Sequence, residues 1–176
     1  LQQINNSYYI YVCIYLPSIS SYSLTSSQAH SSNYAQLRNA RTTEFPKEWF
    51  EGLNLKRQVT RSTYDKGVNK YGVKCGSSLE DWESKNWIIS QDPYGWFQWY
   101  CRYSLGRRTK DDERQIGRWL KLAGPNGRFR RTLMNKIIKK GTTYNDYSVS
   151  PVIRQVLLHW GYELTKGDLE RYRNSR

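Results

Sequence analysis

The sequence predicts a mainly α protein, a compact bundle of five or six helices with either a short β element or a loop at 45–75. Three observations carry that reading. From Ser77 onward, helix start and stop residues recur at helix-length intervals. Between them, apolar residues recur with the period of one helix face. Fragments with strand character, "KRQVTRSTY" and "KYGVKCG", are confined to 45–75.

Residues 1–40 stand apart. They are rich in Ser, Tyr, Asn and Gln and carry one charge, Arg38. They read as a flexible tail outside the functional domain. Within them, "YYIYVCIYLPSISSYS" resembles the apolar part of a signal peptide but has no basic residue before it. The domain boundary is expected near 41–46, so 41–176 is the basic, aromatic-rich helical domain.

The elements follow in order. "SSLEDWESKNW" offers a Ser cap, then Glu80, Asp81 and Glu83 where the helix dipole favours anions. In "DPYGW", Asp92 is positioned to cap and Pro93 to take the first helical position. "TKDDERQIGRWLKLAGP" has Thr109 as cap with Asp112 three residues on. Its apolar face is Ile116, Trp119, Leu120 and Ala123, and Gly124–Pro125 stop it. Arg114, Arg118 and Lys121 form the opposite stripe. In "NGRFRRTLMNKIIKKG", Asn126 is the expected cap and Gly141 the stop. Phe129, Leu133, Met134, Ile137 and Ile138 face inward, and Arg128, Arg131, Asn135 and Lys139 form another stripe. "SPVIRQVLLHWG" has Ser150 as cap, Pro151 first and Gly161 as stop, with Val152, Ile153, Val156, Leu157 and Trp160 facing inward. "TKGDLERY" pairs Thr165 with Asp168 as a capping box.

The charge is concentrated. The chain carries 28 Lys and Arg against 15 Asp and Glu, a net +13. Residues 101–141 hold thirteen basic and three acidic residues, so +10 of that excess sits in one segment. This is an electrostatic footprint for a polyanion rather than a diffuse bias. No apolar run approaches the roughly 20 residues of a membrane span, so no membrane partner is expected.

Between Tyr94 and Tyr103 lie six aromatic residues. On a helix, Trp96, Trp99, Tyr100 and Tyr103 share one face, and Tyr94, Phe97 and Cys101 lie on another. A helix apolar nearly all round is normally buried. An alternative leaves one or two rings exposed beside Arg102, Arg107 and Arg108 as stacking platforms for unpaired bases.

The run "DPYGWFQWYCR…GRR…DDERQIGRWL…GRFR…SPVIRQVLLHWGYEL" resembles a set of small basic proteins sharing this pattern over about residues 45–170. The resemblance supports the domain limits and implies no activity, cofactor or catalytic residue.

The two basic amphipathic helices joined by "GPNG" form a helix-turn-helix-like hairpin at 109–140. "LAGPNGRF" is also similar to the hairpin of helix–hairpin–helix DNA-binding modules, but here Pro and Asn separate the glycines. The expected function is nucleic-acid binding, to DNA or RNA, in an intracellular, nuclear or cytoplasmic setting. The expected phosphate contacts are Arg102, Arg107, Arg108, Arg114, Arg118, Lys121, Arg128, Arg130, Arg131, Lys136, Lys139 and Lys140.

Two alternatives stay open: a nucleic-acid-processing enzyme with a carboxylate metal site, and a module binding an acidic protein. For the enzyme, Asp111, Asp112 and Glu113 could hold Mg²⁺, but acids are expected at a helix start anyway. His159 beside Trp160 reads as a packed or surface residue rather than a general base, and Cys101 as a small core residue. Three scattered cysteines and two histidines give no zinc spacing. No cofactor or metal is expected, and the oligomeric state is left open.

Overall fold

The computed structural model describes residues 44–52, 54–59, 65–77, 79–93 and 95–176. The tail at 1–40, Tyr94 and most of "QVTRSTY" lie outside the described residues. Six α-helices follow one another in the C-terminal part: α1 Leu79–Ser84, α2 Trp96–Ser104, α3 Asp112–Leu122, α4 Arg128–Lys140, α5 Pro151–His159 and α6 Lys166–Asn174. Before them, Lys47–Phe50 and Lys66–Val68 form 3₁₀ turns and Leu55–Val59 a π turn. No strand occurs among the described residues, so within them the ambiguity at 45–75 resolves to turns and loop.

The core has α4 at its centre. Leu133, Met134 and Ile137 of α4 are buried with Ala123, Val149, Leu157, Leu164 and Leu169. Ile138, Phe129, Trp119, Ile153 and Trp160 pack around them. Helix α6 lies alongside α4 in the same direction. Arg130 meets Asp168, the Tyr172 hydroxyl donates to Asn135 Oδ1 at 2.9 Å, and Arg173 donates to the Thr142 carbonyl at 3.1 Å. A second layer comes from α2, whose Trp96, Trp99, Tyr100 and Cys101 are buried. Indole N–H groups fix its position. Trp96 donates to the Gln115 carbonyl at 3.1 Å and Trp99 to Asp112 Oδ1 at 2.9 Å. Trp119 of α3 donates to the Trp160 carbonyl at 2.8 Å, tying α3 to the end of α5.

Several helix ends differ from expectation. Asp92 does not cap. Gly95, at φ 80°, starts α2 three residues later, and a Cβ there would meet the Trp82 ring at 2.7 Å. Asp92 instead turns inward. Gly127, not Asn126, is the N-cap of α4 and offers no side chain. Ser150 does precede α5, but in the left-handed region at φ 50°, and its hydroxyl makes no cap bond. A capping hydroxyl reaches the first N–H groups from extended backbone. Asp111, not Thr109, is the N-cap of α3; Thr109 lies in the turn before it, where its N–H and hydroxyl donate to Asp112 Oδ2 and Oδ1, each at 2.9 Å, and its Oγ1 accepts from Asp111 N–H at 3.2 Å. The Thr165–Asp168 box forms, with Asp168 N–H donating to Thr165 Oγ1 at 3.1 Å. Two residues expected inside face out: Leu120 is 50% and Val152 48% exposed. Each lies at the edge of its helix's apolar stripe, beyond the reach of the neighbouring helix.

Candidate nucleic-acid interface

The thirteen basic residues of 101–141 fall into two sets. Five meet carboxylates. Arg102 pairs with Glu44 and, at 2.8 Å, with Asp92. Arg107 grips both oxygens of Asp92, at 2.8 and 2.7 Å. Arg114 pairs with Asp111 at 2.5 Å, Arg130 with Asp168 at 2.5 Å and Lys140 with Asp146 at 2.9 Å. Of these, Arg102, Arg107 and Arg130 are half-buried, and their charge is spent inside the fold.

Asp92 is 4% exposed. Burial opposes its ionisation, but bonds from Arg107, Gln91 and Arg102 outweigh burial and hold its carboxyl below the ordinary value. Asp168 follows the same logic. Burial raises it, and bonds from Tyr162, Thr165 and Arg171 with the charge of Arg130 bring it below the ordinary value.

The second set forms no ion pair among the described residues. On α3 and its turn these are Lys110, Arg118 and Lys121, with Arg114 beside them. On α4 they are Arg128, Arg131, Lys136 and Lys139, and at the end of α2 Arg108. All are exposed. Their placement follows from helix geometry. At 100° per residue, Arg114, Arg118 and Lys121 share the side of α3 opposite Ile116, Trp119 and Ala123. Likewise Arg128, Arg131 and Lys139 lie opposite Leu133 and Ile137 on α4. The turn Ala123–Gly127 holds the two helices against each other. A Cβ on Gly127 would lie 2.6 Å from the Leu122 carbonyl group, so this turn accepts no side chain there.

Within the aromatic run, Trp96, Trp99 and Tyr100 are interior. Trp96 stacks on Tyr100 with centroids 5.1 Å apart and planes 8° apart, and it meets Trp160 at 4.9 Å. Rings nearer the surface carry guanidinium groups on their faces. Arg108 lies 3.9 Å above Tyr103, Arg130 4.4 Å above Tyr162, Arg128 4.8 Å above Phe129 and Arg118 5.4 Å above Trp160.

Two of the three carboxylates at the start of α3 are engaged within the fold. Asp111 accepts from Arg114 and from Gln115 Nε2, the latter at 2.8 Å. Asp112 accepts from Thr109 and Trp99. Among the described residues no group of three or more His, Cys, Asp and Glu could hold a metal ion. Cys101 is fully buried.

One pairing was not legible in the sequence. Cys75 Sγ lies 3.7 Å from His159 Nδ1, and His159 Nε2 lies 3.2 Å from Gln155 Nε2. Gln155 Oε1 accepts from Tyr71 N–H at 3.4 Å, so its amide nitrogen faces the imidazole as donor. His159 Nε2 is therefore the acceptor, and the ring proton sits on Nδ1, toward sulfur. Burial pushes the Cys75 thiol up to about 11 and His159 down to about 4. A neutral imidazole that weakly basic does not deprotonate a thiol that weakly acidic, so the pair is not an activated nucleophile.

Arg154 and Gln155 were also missed. Arg154, 3% exposed, donates to the carbonyls of Val149, Tyr144 and Asp146 and holds the loop before α5. The signal was present: two polar residues interrupt the apolar stripe "PVIRQVLLHW".

The described residues define a mainly helical bundle with a cationic hairpin. No protein-family model matches the chain, and neither curated proteins nor solved structures give a match. Among the described residues, no helix is long and apolar enough to cross a membrane.

Proposed function

We propose that this protein binds nucleic acid through phosphate contacts from the α3–turn–α4 hairpin. The observation that carries the reading is the division of charge. Arg102, Arg107 and Arg130 neutralise internal acids, while Arg118, Lys121, Arg128, Arg131, Lys136 and Lys139 remain exposed without ion pairs among the described residues. Arg102, Arg107 and Arg130 find carboxylates inside the fold, and buried Arg154 finds backbone carbonyls. A surplus kept in water along two adjoining helices suits a polyanion, where each neutralised phosphate releases condensed counterions.

The exposed set is narrower than the twelve residues nominated from sequence. Arg108, Arg114 and Lys140 sit at its margins, the latter two sharing their charge with Asp111 and Asp146.

The test is anisotropy of labelled DNA and RNA with the full chain across a salt series. Log K is expected to fall linearly with log salt. Replacing Arg128, Arg131 and Lys139 together by Ala should flatten the slope by about 2.7 on a duplex, at about 0.9 per lost phosphate contact. Absence of binding at low salt would overturn the reading and leave an acidic protein as the partner of this surface.

A further inference from the structure

We propose that the hairpin recognises the backbone of a double-stranded nucleic acid and discriminates against single strands; this rests on the phosphate-binding reading above. Two observations carry it.

The first concerns the rings. Binding of unpaired bases relies on open aromatic faces beside a cationic groove. Here three rings of the aromatic segment are folded inward: Trp96, Trp99 and Tyr100 are 6%, 1% and 4% exposed. Three rings that reach the surface near the cations lie under anchored guanidinium groups, and a fourth, Phe129, lies under Arg128, which forms no ion pair among the described residues. Arg108 lies over Tyr103 while its Nη1 donates to the Tyr103 and Arg107 carbonyls at 2.7 and 2.8 Å. Arg130 lies over Tyr162 while paired to Asp168. Arg118 lies over Trp160 while donating to Gln115 Oε1 at 3.0 Å. A base seeking these rings must first displace a held guanidinium. A phosphate meets the exposed Arg108 and Arg118 without moving them off their rings, whereas Arg130 stays with Asp168.

The second concerns charge density. From Arg128 to Lys139, the exposed stripe of α4 spans about 17 Å at 1.5 Å per residue. Over that length a duplex presents roughly ten phosphates on its two strands, twice what one strand offers at the same rise. A rigid row of cations on a helix gains most from a rigid, dense polyanion. The chemistry is shared by DNA and RNA duplexes, so both enter the test.

The experiment is competition binding of the full chain with one sequence as DNA duplex, RNA duplex and each single strand, at matched nucleotide concentration. Tryptophan emission is recorded in parallel. At least one duplex is expected to bind about tenfold or more tightly than either strand, with little quenching, because no indole takes up a base. The double variant Arg108→Ala with Arg118→Ala removes two covers, from Tyr103 and Trp160. It should narrow the duplex preference and introduce quenching by single strands. Equal or tighter binding of single strands by the unaltered chain, with quenching, would overturn the duplex proposal and leave the phosphate reading intact. An unchanged preference in the double variant would overturn the role of the covered rings. No binding to any of the four would overturn both readings.

Discussion

Asp168 occupies the first turn of α6 and accepts side-chain hydrogen bonds from Arg130, Arg171, Tyr162 and Thr165. The sequence shows only its capping role, three residues after Thr165. Its partner Arg130 lies 38 residues away and is 12% exposed, so removing the carboxylate strands a buried cation. Asp168→Ala is expected to lower the unfolding free energy by about 3–5 kcal/mol, read from the denaturant midpoint. The folded carboxyl sits below its ordinary value. Its ionisation therefore stabilises the fold fully above the unfolded value near 4, and the contribution drains away as pH falls through the folded value. Asp92 acts in the same sense. The melting temperature of the unaltered protein should drop steeply below about pH 4, and Asp168→Asn should show a shallower drop.

At the level of elements, the α3–α4 hairpin shows what sequence patterns can and cannot reach. Its stop signals were legible. Gly124–Pro125 follow α3, and Gly141 ends α4 in the left-handed region at φ 69°, its N–H shared between the Ile137 and Ile138 carbonyls. The inward residues of α4 were legible because α3, α5 and α6 all pack against its apolar stripe. Leu120 and Val152 were misplaced because periodicity gives the direction of a side chain and not the extent of the surface that covers it. The distinction between glycines was likewise invisible. A Cβ on Gly127 would lie 2.6 Å from Leu122 backbone, whereas one on Gly117, in the middle of α3, meets nothing within 4 Å. Gly127→Ala is expected to cost about 1–3 kcal/mol by forcing the turn open. Gly117→Ala should stabilise by about 0.5–1 kcal/mol by raising helix propensity. Thermal melts followed by circular dichroism separate the two; a loss of stability in Gly117→Ala would contradict the open space around it.

For the whole molecule, the helical class and the basic segment could be read directly, because both are properties of the chain taken in order. The division of that charge could not. Arg102 finds Glu44 across 58 residues and Arg107 finds Asp92 across 15, and only folding brings these pairs together. A count along the sequence assigns both arginines to a ligand. The fold gives Arg102 and Arg107 to stability and leaves Arg131 in solvent. Arg107→Ala should therefore cost about 2 kcal/mol of stability, as expected for charge-assisted hydrogen bonds to a buried carboxylate, and leave the salt dependence of nucleic-acid binding unchanged. Arg131→Ala should do the opposite, flattening the slope by about 0.9 with the melting temperature unmoved. A swapped pattern would show that the two sets of cations had been wrongly divided.

The two buried thiols among the described residues, Cys75 and Cys101, give this molecule built-in clocks. Cys75 sits where the loop at 69–76 is fastened to the rest by Lys70–Glu163 at 2.6 Å and by Tyr71. Cys101 lies inside α2. Only a thiolate attacks a disulfide reagent, expelling the reagent's other sulfur as a thiolate, and Cys75, pushed up to about 11, offers almost none at pH 8. Reaction at either site must wait for the chain around it to open. Site-resolved mass spectrometry of labelling over time would thus report two events in one sample: release of the loop through Cys75, and breach of the tryptophan layer through Cys101. Cutting the Lys70 tether with Lys70→Ala should hasten the first and leave the second at its original pace.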